Sequence, residues 1–189
     1  MNIKKNLPAT STCTVIVLKM IKVMMYLPNM MLVHREFTDN TAAWILNKDF
    51  IHPQLKKDCL VLGRFPLSYL LLMKDANYPW FILVPEREGI TEIYQLSGDD
   101  QKHLLSESSL LAEFLMQHFQ GDKLNIAAIG NIVPQLHLHH VVRFRSDPAW
   151  PAPVWGKLPA RAYSDNELNI IVDKVRQAEL KDFISSTEL

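Results

Sequence analysis

Three apolar runs of strand length follow one another closely: Cys59-Leu60-Val61-Leu62-Gly63, Leu67-Ser68-Tyr69-Leu70-Leu71-Leu72-Met73 and Trp80-Phe81-Ile82-Leu83-Val84. A Gly63-to-Pro66 turn separates the first two, the polar turn Lys74-Asp75-Ala76-Asn77-Tyr78-Pro79 separates the last two, and Pro85 closes the third. A parallel crossover needs a dozen or more residues, so runs joined this tightly pair antiparallel. None of them alternates polar with apolar residues, which leaves no face of the sheet wet; protein must cover both sides. Whatever else the chain does, it has to build two layers onto a central sheet.

The remaining segments supply those layers. Phe50-Ile51-His52-Pro53-Gln54-Leu55 reads as a turn or short helical piece with Pro53 at its first position. Ser97, followed by Asp99 and Asp100, starts a long helix in which Leu104, Leu111, Leu115 and His118 recur at helical spacing up to a Gly121 stop. Strands are expected over 124–129 and 136–144. Three prolines in six residues (Pro148, Pro151, Pro153), with Trp150 and Trp155 around them, bar regular structure there. Ser164-Asp165-Asn166-Glu167 is a capping box opening a last helix with Leu168, Ile171, Val172 and Val175 on one stripe. The expectation is an α/β or α+β fold with about five strands, one long mid-chain helix and a terminal helix. Residues 37–160 form the main domain, and residues 161–189 a helical segment packed on it.

Residues 1–36 read as an N-terminal extension. Six of the eight methionines lie there, and no acidic residue occurs before Glu36. The apolar stretch 15–33 is interrupted by Lys19, Lys22 and Pro28, which argues against a membrane span. Three readings stay open: a true start at Met30 or Met31, a flexible or partner-bound extension, and a targeting segment. A mass measurement on the native protein separates them. Twenty basic and twenty acidic side chains cancel, so charge gives no reason to expect nucleic acid or an anionic membrane as partner. Cys13 and Cys59 follow no metal or redox spacing, Cys59 reads as inert core, and a reducing cytoplasm is the default.

Three of the seven histidines fall within four residues, in Gln135-Leu136-His137-Leu138-His139-His140-Val141-Val142-Arg143. On a strand, Gln135, His137 and His139 share one face, and Leu136, Leu138 and His140 the other. Same-face neighbours lie roughly 6.5–7 Å apart, close enough for two imidazoles to act on one small anionic group. The same His-x-His pair is also a metal-ligand arrangement, for which only His52, Glu88 or His103 offers a third ligand. His140 reads as a buried structural histidine, and His103 and His118 as packing or surface groups on the helix. Trp150 and Trp155 read as core or lid packing.

The run from Val133 to Arg143 resembles the signature of the histidine-triad (HIT) family, His-φ-His-φ-His-φ-φ after a Val-Pro-type turn. Upstream, Lys74-Asp75-Ala76-Asn77-Tyr78-Pro79 is similar to the family's ribose loop, and Trp80 to Glu88 to the His-apolar-Pro-Lys-x-His strand that follows it. The likeness spans about residues 40–145, and the Trp/Pro segment resembles a bacterial branch of the family. It implies a HIT-like α+β fold, often assembled as a two-fold dimer. It also implies a small-molecule nucleotide or nucleotide-like phosphate as ligand, with no metal or other cofactor. The chemistry implied is hydrolysis or transfer of a nucleotidyl group, from a phosphoramidate or phosphoanhydride, through a covalent nucleotidyl-histidine. By position His137 is the nucleophile, His139 the third triad histidine, and Gln135 stands where the first belongs; Glu88 replaces a further family histidine.

For His137 to attack phosphorus, one ring nitrogen must be free and the other held as a donor, typically to a backbone carbonyl. Donors to the phosphoryl oxygens are expected from His139, the Gln135 amide and the backbone of the 130–133 turn, including Asn131 and Val133. Asp75 and Asn77 are expected to meet the ribose, with the apolar strands forming a base slot. Glutamine cannot exchange a proton, so acid assistance to a leaving group falls to His139 or is lost. The rival reading is a non-catalytic nucleotide-binding module.

Overall fold

The computed structural model of the chain describes residues 48–186; the expected N-terminal extension lies outside the described residues. The three apolar runs are strands β1 (Cys59–Arg64), β2 (Ser68–Met73) and β3 (Trp80–Pro85), paired antiparallel in succession, with Leu71 opposite both Val61 and Ile82. The chain then forms helix α2 (Gly98–Phe119) and strands β4 (Lys123–Ala127) and β5 (Leu138–Arg143). Strand β5 inserts between β3 and β4, giving the order β4-β5-β3-β2-β1-β6. The sheet has six strands where about five were expected. The addition is β6 (Ile184–Ser185), which pairs with Gly63 and Arg64 of β1 and is too short to show any periodicity. A Cβ at Gly63 would run into the Ile184 carbonyl and the Phe183 ring, so glycine permits this late strand to approach.

Both faces of the sheet are covered, as uniformly apolar strands require. On one face Leu70, Leu72, Phe81, Leu83, Leu138 and Val142 pack with Leu104, Leu111 and Leu115 of α2. Ile171, Val172 and Val175 of helix α3 (Asp165–Gln177) join the same core. On the other face Tyr69, Leu71, Trp80, Ile82, Val84 and Val141 lie under Ile51, Leu55, Val133, Ala149 and Val154. Burying each such side chain contributes roughly 1.5–3 kcal/mol, so the two layers carry most of the folding free energy.

Local signals place the helices. In α1 (Pro53–Asp58) proline occupies the first turn, and the His52 Nδ1 accepts from the Gln54 N–H at 3.2 Å as the N-cap. Ser97 caps α2 through the Asp100 N–H at 3.1 Å, with Asp99 and Asp100 favourable in the first turn. Ser164 and Glu167 make the reciprocal capping box of α3. The end of α2 differs from expectation. Gln120 takes the left-handed turn with φ 52°, and its N–H bonds Met116 O. Gly121 has another role: a Cβ there would strike the Val142 side chain and the Arg143 carbonyl, so glycine lets the chain pass tightly beside β5.

Candidate functional site

Strand β5 begins two residues later than the sequence pattern suggests. Gln135 sits in a bend, and the Leu136 N–H bonds Ile90 O at 2.9 Å instead of entering the ladder. The pairing that fixes faces starts at Leu138. His139 lies opposite Ile82, on the face away from α2, and His140 opposite Phe81, on the α2 face. Although His137 precedes the strand, its ring meets that of His139 edge to face, with centroids 4.8 Å apart.

The hydrogen-bond partners assign each imidazole proton. His137 Nδ1 lies 2.7 Å from Gln135 O. A carbonyl only accepts, so Nδ1 carries the proton and the Nε2 lone pair is open. His139 Nδ1 lies 2.9 Å from the Trp80 indole nitrogen, which only donates, so in the neutral ring the His139 proton resides on Nε2. Burial, then the charges of His137 and His140, push the His139 pKa down to about 3. His140 is fully buried and doubly bonded: Nδ1 donates to Leu138 O at 3.1 Å and Nε2 accepts from Ser108 Oγ at 2.8 Å. Burial lowers its pKa to about 4 against the opposing pull of those bonds. It is the structural histidine on the opposite face that strand alternation implies.

Gln135 is not part of a shared strand face. Its side-chain carbonyl accepts from the His52 N–H at 2.8 Å and its amide donates to Phe50 O at 3.0 Å, tying the entry of α1 to the histidine loop. The physical reason is the bend, which frees the side chain from β alternation and lets it satisfy two backbone groups. Asn131 is exposed on the turn and Val133 is buried against Ile51 and Val141. Asp75 Oδ1 accepts from the backbone and side-chain nitrogens of Asn77 and from the Arg161 N–H, while the Asn77 amide also reaches Pro159 O. That loop adjoins Trp80, whose partner is Val141, and is thereby placed towards the end of β5 away from His137. Glu88 and His103 are exposed. Among the described residues no group of three His, Cys, Asp or Glu side chains is arranged to hold a metal ion, so the His-x-His pair gains no third ligand. No helix among them is long and apolar enough to cross a membrane.

The space around the histidines also departs from expectation. The base slot between apolar strands is filled, because Tyr69, Leu71, Ile82 and Val84 are at most 1% exposed beneath the second layer. His137 instead borders a narrow cleft of about 10 Å³ with Thr91, Glu92, Gly130 and Gln135. Thr91 and Gln135 also line a neighbouring cavity of about 480 Å³, walled by residues 49–53 and 87–91 with Pro134. That volume falls in the range of small-molecule sites.

Trp80 and Arg143 are contributors that escape sequence reasoning. Trp80 bonds His139, and Trp155 packs edge to face on both rings at 5.6 Å. A buried indole N–H on a strand needs an acceptor, and that requirement was the available signal. Arg143 is 1% exposed. It binds both Asp147 oxygens, Asn125 Oδ1 and Ala152 O, and thereby straps the Trp/Pro segment over the sheet. Its signal was the i,i+4 charge pair closing an apolar run. Burial pushes the Asp147 carboxyl upward, but the guanidinium and the Ala149 and Phe144 N–H groups outweigh it and hold its pKa below the usual range.

An antiparallel sheet covered on both faces, with two touching imidazoles at the mouth of an inner strand, defines an α+β domain of histidine-triad type. The HIT domain family matches residues 54–146. A histidine triad protein from Marinobacter aquaeolei VT8 is 50% identical over 67% of this chain and 92% of its own, with a TM-score of 0.65. One from Bradyrhizobium japonicum is 44% identical over 67% and 94%, with a TM-score of 0.66. A histidine triad protein from Sinorhizobium meliloti 1021 is 37% identical over 67% and 93%, with a TM-score of 0.65. No curated protein matches the chain. The chain belongs to the HIT family.

Proposed function

We propose that this HIT protein binds a small nucleotide or nucleotide-like phosphate and hydrolyses it, or transfers its nucleotidyl group, through a covalent nucleotidyl-histidine at His137. The observation that carries this reading is the 2.7 Å bond from His137 Nδ1 to Gln135 O, which leaves Nε2 as a lone pair beside the His139 ring. In the first step Nε2 forms a bond to phosphorus while the bond to the leaving group breaks and takes its electron pair along. The imidazolium so formed keeps its Nδ1 proton against the Gln135 carbonyl, which stabilises the charge. Water then attacks phosphorus, the P–N pair returns to Nε2, and the water proton passes to solvent.

The Nε2–H of His139 and backbone N–H groups of the 130–133 turn, including Asn131 and Val133, serve as donors to the phosphoryl oxygens. Gln135, in the place of the first triad histidine, holds the carbonyl that orients His137. The family resemblance gives Asp75 and Asn77 a ribose-side role, which their place towards the far end of β5 does not support for a nucleoside beside Gln135. The cavity beside Gln135 accommodates the nucleoside. A cytoplasmic setting, from the cysteine usage, and a two-fold dimer, from the family resemblance, complete the reading.

Wild type and His137→Ala should be compared on an adenosine phosphoanhydride and an adenosine phosphoramidate, with the nucleotidyl adduct sought by intact mass. Turnover and adduct are expected in wild type and not in His137→Ala; equal slow rates in both dismiss the reading. A non-catalytic binding module is the second reading, favoured by the Gln135 carboxamide being wholly committed to Phe50 and His52. Calorimetric binding of nucleotide without any turnover selects it.

A further inference from the structure

The Trp80 indole ends on the second working histidine, and its direction is unambiguous because an indole N–H has no acceptor role. With Nδ1 occupied, the neutral His139 ring carries its one proton on Nε2, which has no protein partner among the described residues. The surroundings keep it neutral. Trp80 and Trp155 flank the ring edge to face at 5.5 and 5.6 Å, and Ile82 lies across from it on β3. The titratable groups that act on it are His137 and His140 of its own segment, and each disfavours a second positive charge. Protonating Nδ1 would also turn the bond from Trp80 into two opposed N–H groups in a buried site.

We propose that Trp80 is a positioning residue that fixes His139 as a neutral Nε2–H donor, and so confines the site to substrates whose leaving group departs without a proton. Suitable leaving groups are the phosphate of a phosphoanhydride or the carboxylate of an acyl phosphate, as opposed to an alkylamine. This rests on His137 being the nucleophile. When Nε2 of His137 bonds to phosphorus and a P–O bond breaks, the electron pair leaves on a phosphate or carboxylate oxygen that is stable as an anion. When a P–N bond to an alkylamine breaks, the departing nitrogen must take up a proton in the same step. A neutral Nε2–H can hydrogen-bond but cannot release its proton without becoming imidazolate, and the Gln135 amide has none to give. Glu92, exposed at the His137 cleft, remains as the carboxylate of this opening.

The test pairs a spectroscopic and a kinetic readout. Imidazole ¹⁵N NMR of the full chain is recorded for wild type, Trp80→Phe, and a variant with 3-benzothienylalanine at 80, which keeps the ring shape and loses only the N–H. Wild-type His139 is expected as the Nε2–H tautomer with no titration between about pH 5 and 8, and in both variants the Nδ1–H tautomer should appear, because the indole N–H that excluded it is gone. In parallel, kcat/KM is measured on ADP and on the matching adenylate alkylamide. Wild type should favour the anhydride by at least about a hundredfold, the scale of a lost general acid. The benzothienyl variant should lower kcat/KM on ADP at least about tenfold, because an Nδ1–H ring offers the phosphoryl oxygens no Nε2–H donor, which loss of packing alone would not do with the ring shape kept. An Nδ1–H or charged His139 at neutral pH in wild type overturns the proposal, as do comparable rates on the two substrates. If neither substrate turns over, the nucleophile reading falls and the leaving-group restriction with it, and the NMR result alone decides what Trp80 does.

Discussion

Two histidines adjacent in the chain, His139 and His140, face opposite sides of one sheet and meet different surroundings. His140 points to the α2 side, where Leu138 O and Ser108 Oγ use both ring nitrogens. His139 points to the strapped side, where Trp80 uses one and the other has no partner among the described residues. Both are buried, and burial depresses the pKa of each. Burial alone therefore does not mark a working histidine. What separates the two is one ring nitrogen without a partner among the described residues, provided by covering one face with a helix that carries a serine and the other with aromatic rings.

The largest break of this comparison comes from the strap. Asp147→Ala leaves the Arg143 guanidinium charged and buried, and should cost about 3–5 kcal/mol in urea unfolding. Hydrogen exchange should show the loss concentrated in residues 138–156, with α2 more protected. A cost under about 1 kcal/mol would mean the strap is held by packing instead. Next is acid. His140 is neutral when folded, whereas unfolded it takes a proton below its ordinary 6.5. Its contribution is complete above about pH 6.5 and is lost as pH falls towards about 4, a span of about 3 kcal/mol. His140→Asn should flatten that part of the stability–pH curve, and an unchanged slope would move the effect elsewhere.

Ser108→Ala sharpens the comparison on the α2 side alone. It strips the partner from His140 Nε2 and should cost about 1–3 kcal/mol by thermal unfolding. It should leave kcat/KM untouched, because the serine lies on the other side of the sheet from His139. The smallest effect is expected at Glu167. The Arg161 guanidinium and the Ser164 N–H and hydroxyl hold its carboxyl well below the usual range. That contribution is complete above about pH 4.5 and fades as pH falls towards about 2, so Glu167→Gln should differ most from wild type above about pH 4.5 and converge with it towards about pH 2. A variant curve that diverges at low pH instead would reverse the assignment.

The strands β1 to β3, the antiparallel pairing, the caps of α2 and α3 and the burial of both faces follow from local composition and spacing. These are consequences of short turns, apolar runs and hydroxyl or carboxylate caps, which act over a few residues. The His137–His139 pair was legible for the same reason, since alternation brings i and i+2 together even where the strand proper starts only at Leu138. Gln135 was misplaced because its bend depends on Ile90, a residue far off in sequence that draws the Leu136 N–H out of the ladder. The filled slot, the Gln135 tie to Phe50 and His52, and the Trp80 bond that sets the His139 tautomer belong to tertiary structure. Each joins groups separated by tens of residues, and hydrogen bonding of buried polar atoms is settled by which partners the packed layers bring within about 3 Å. The chain's sequence thus determined a covered antiparallel sheet with two imidazoles at the head of an inner strand. Only the packing of the two layers against that sheet decided which ring nitrogen stays open.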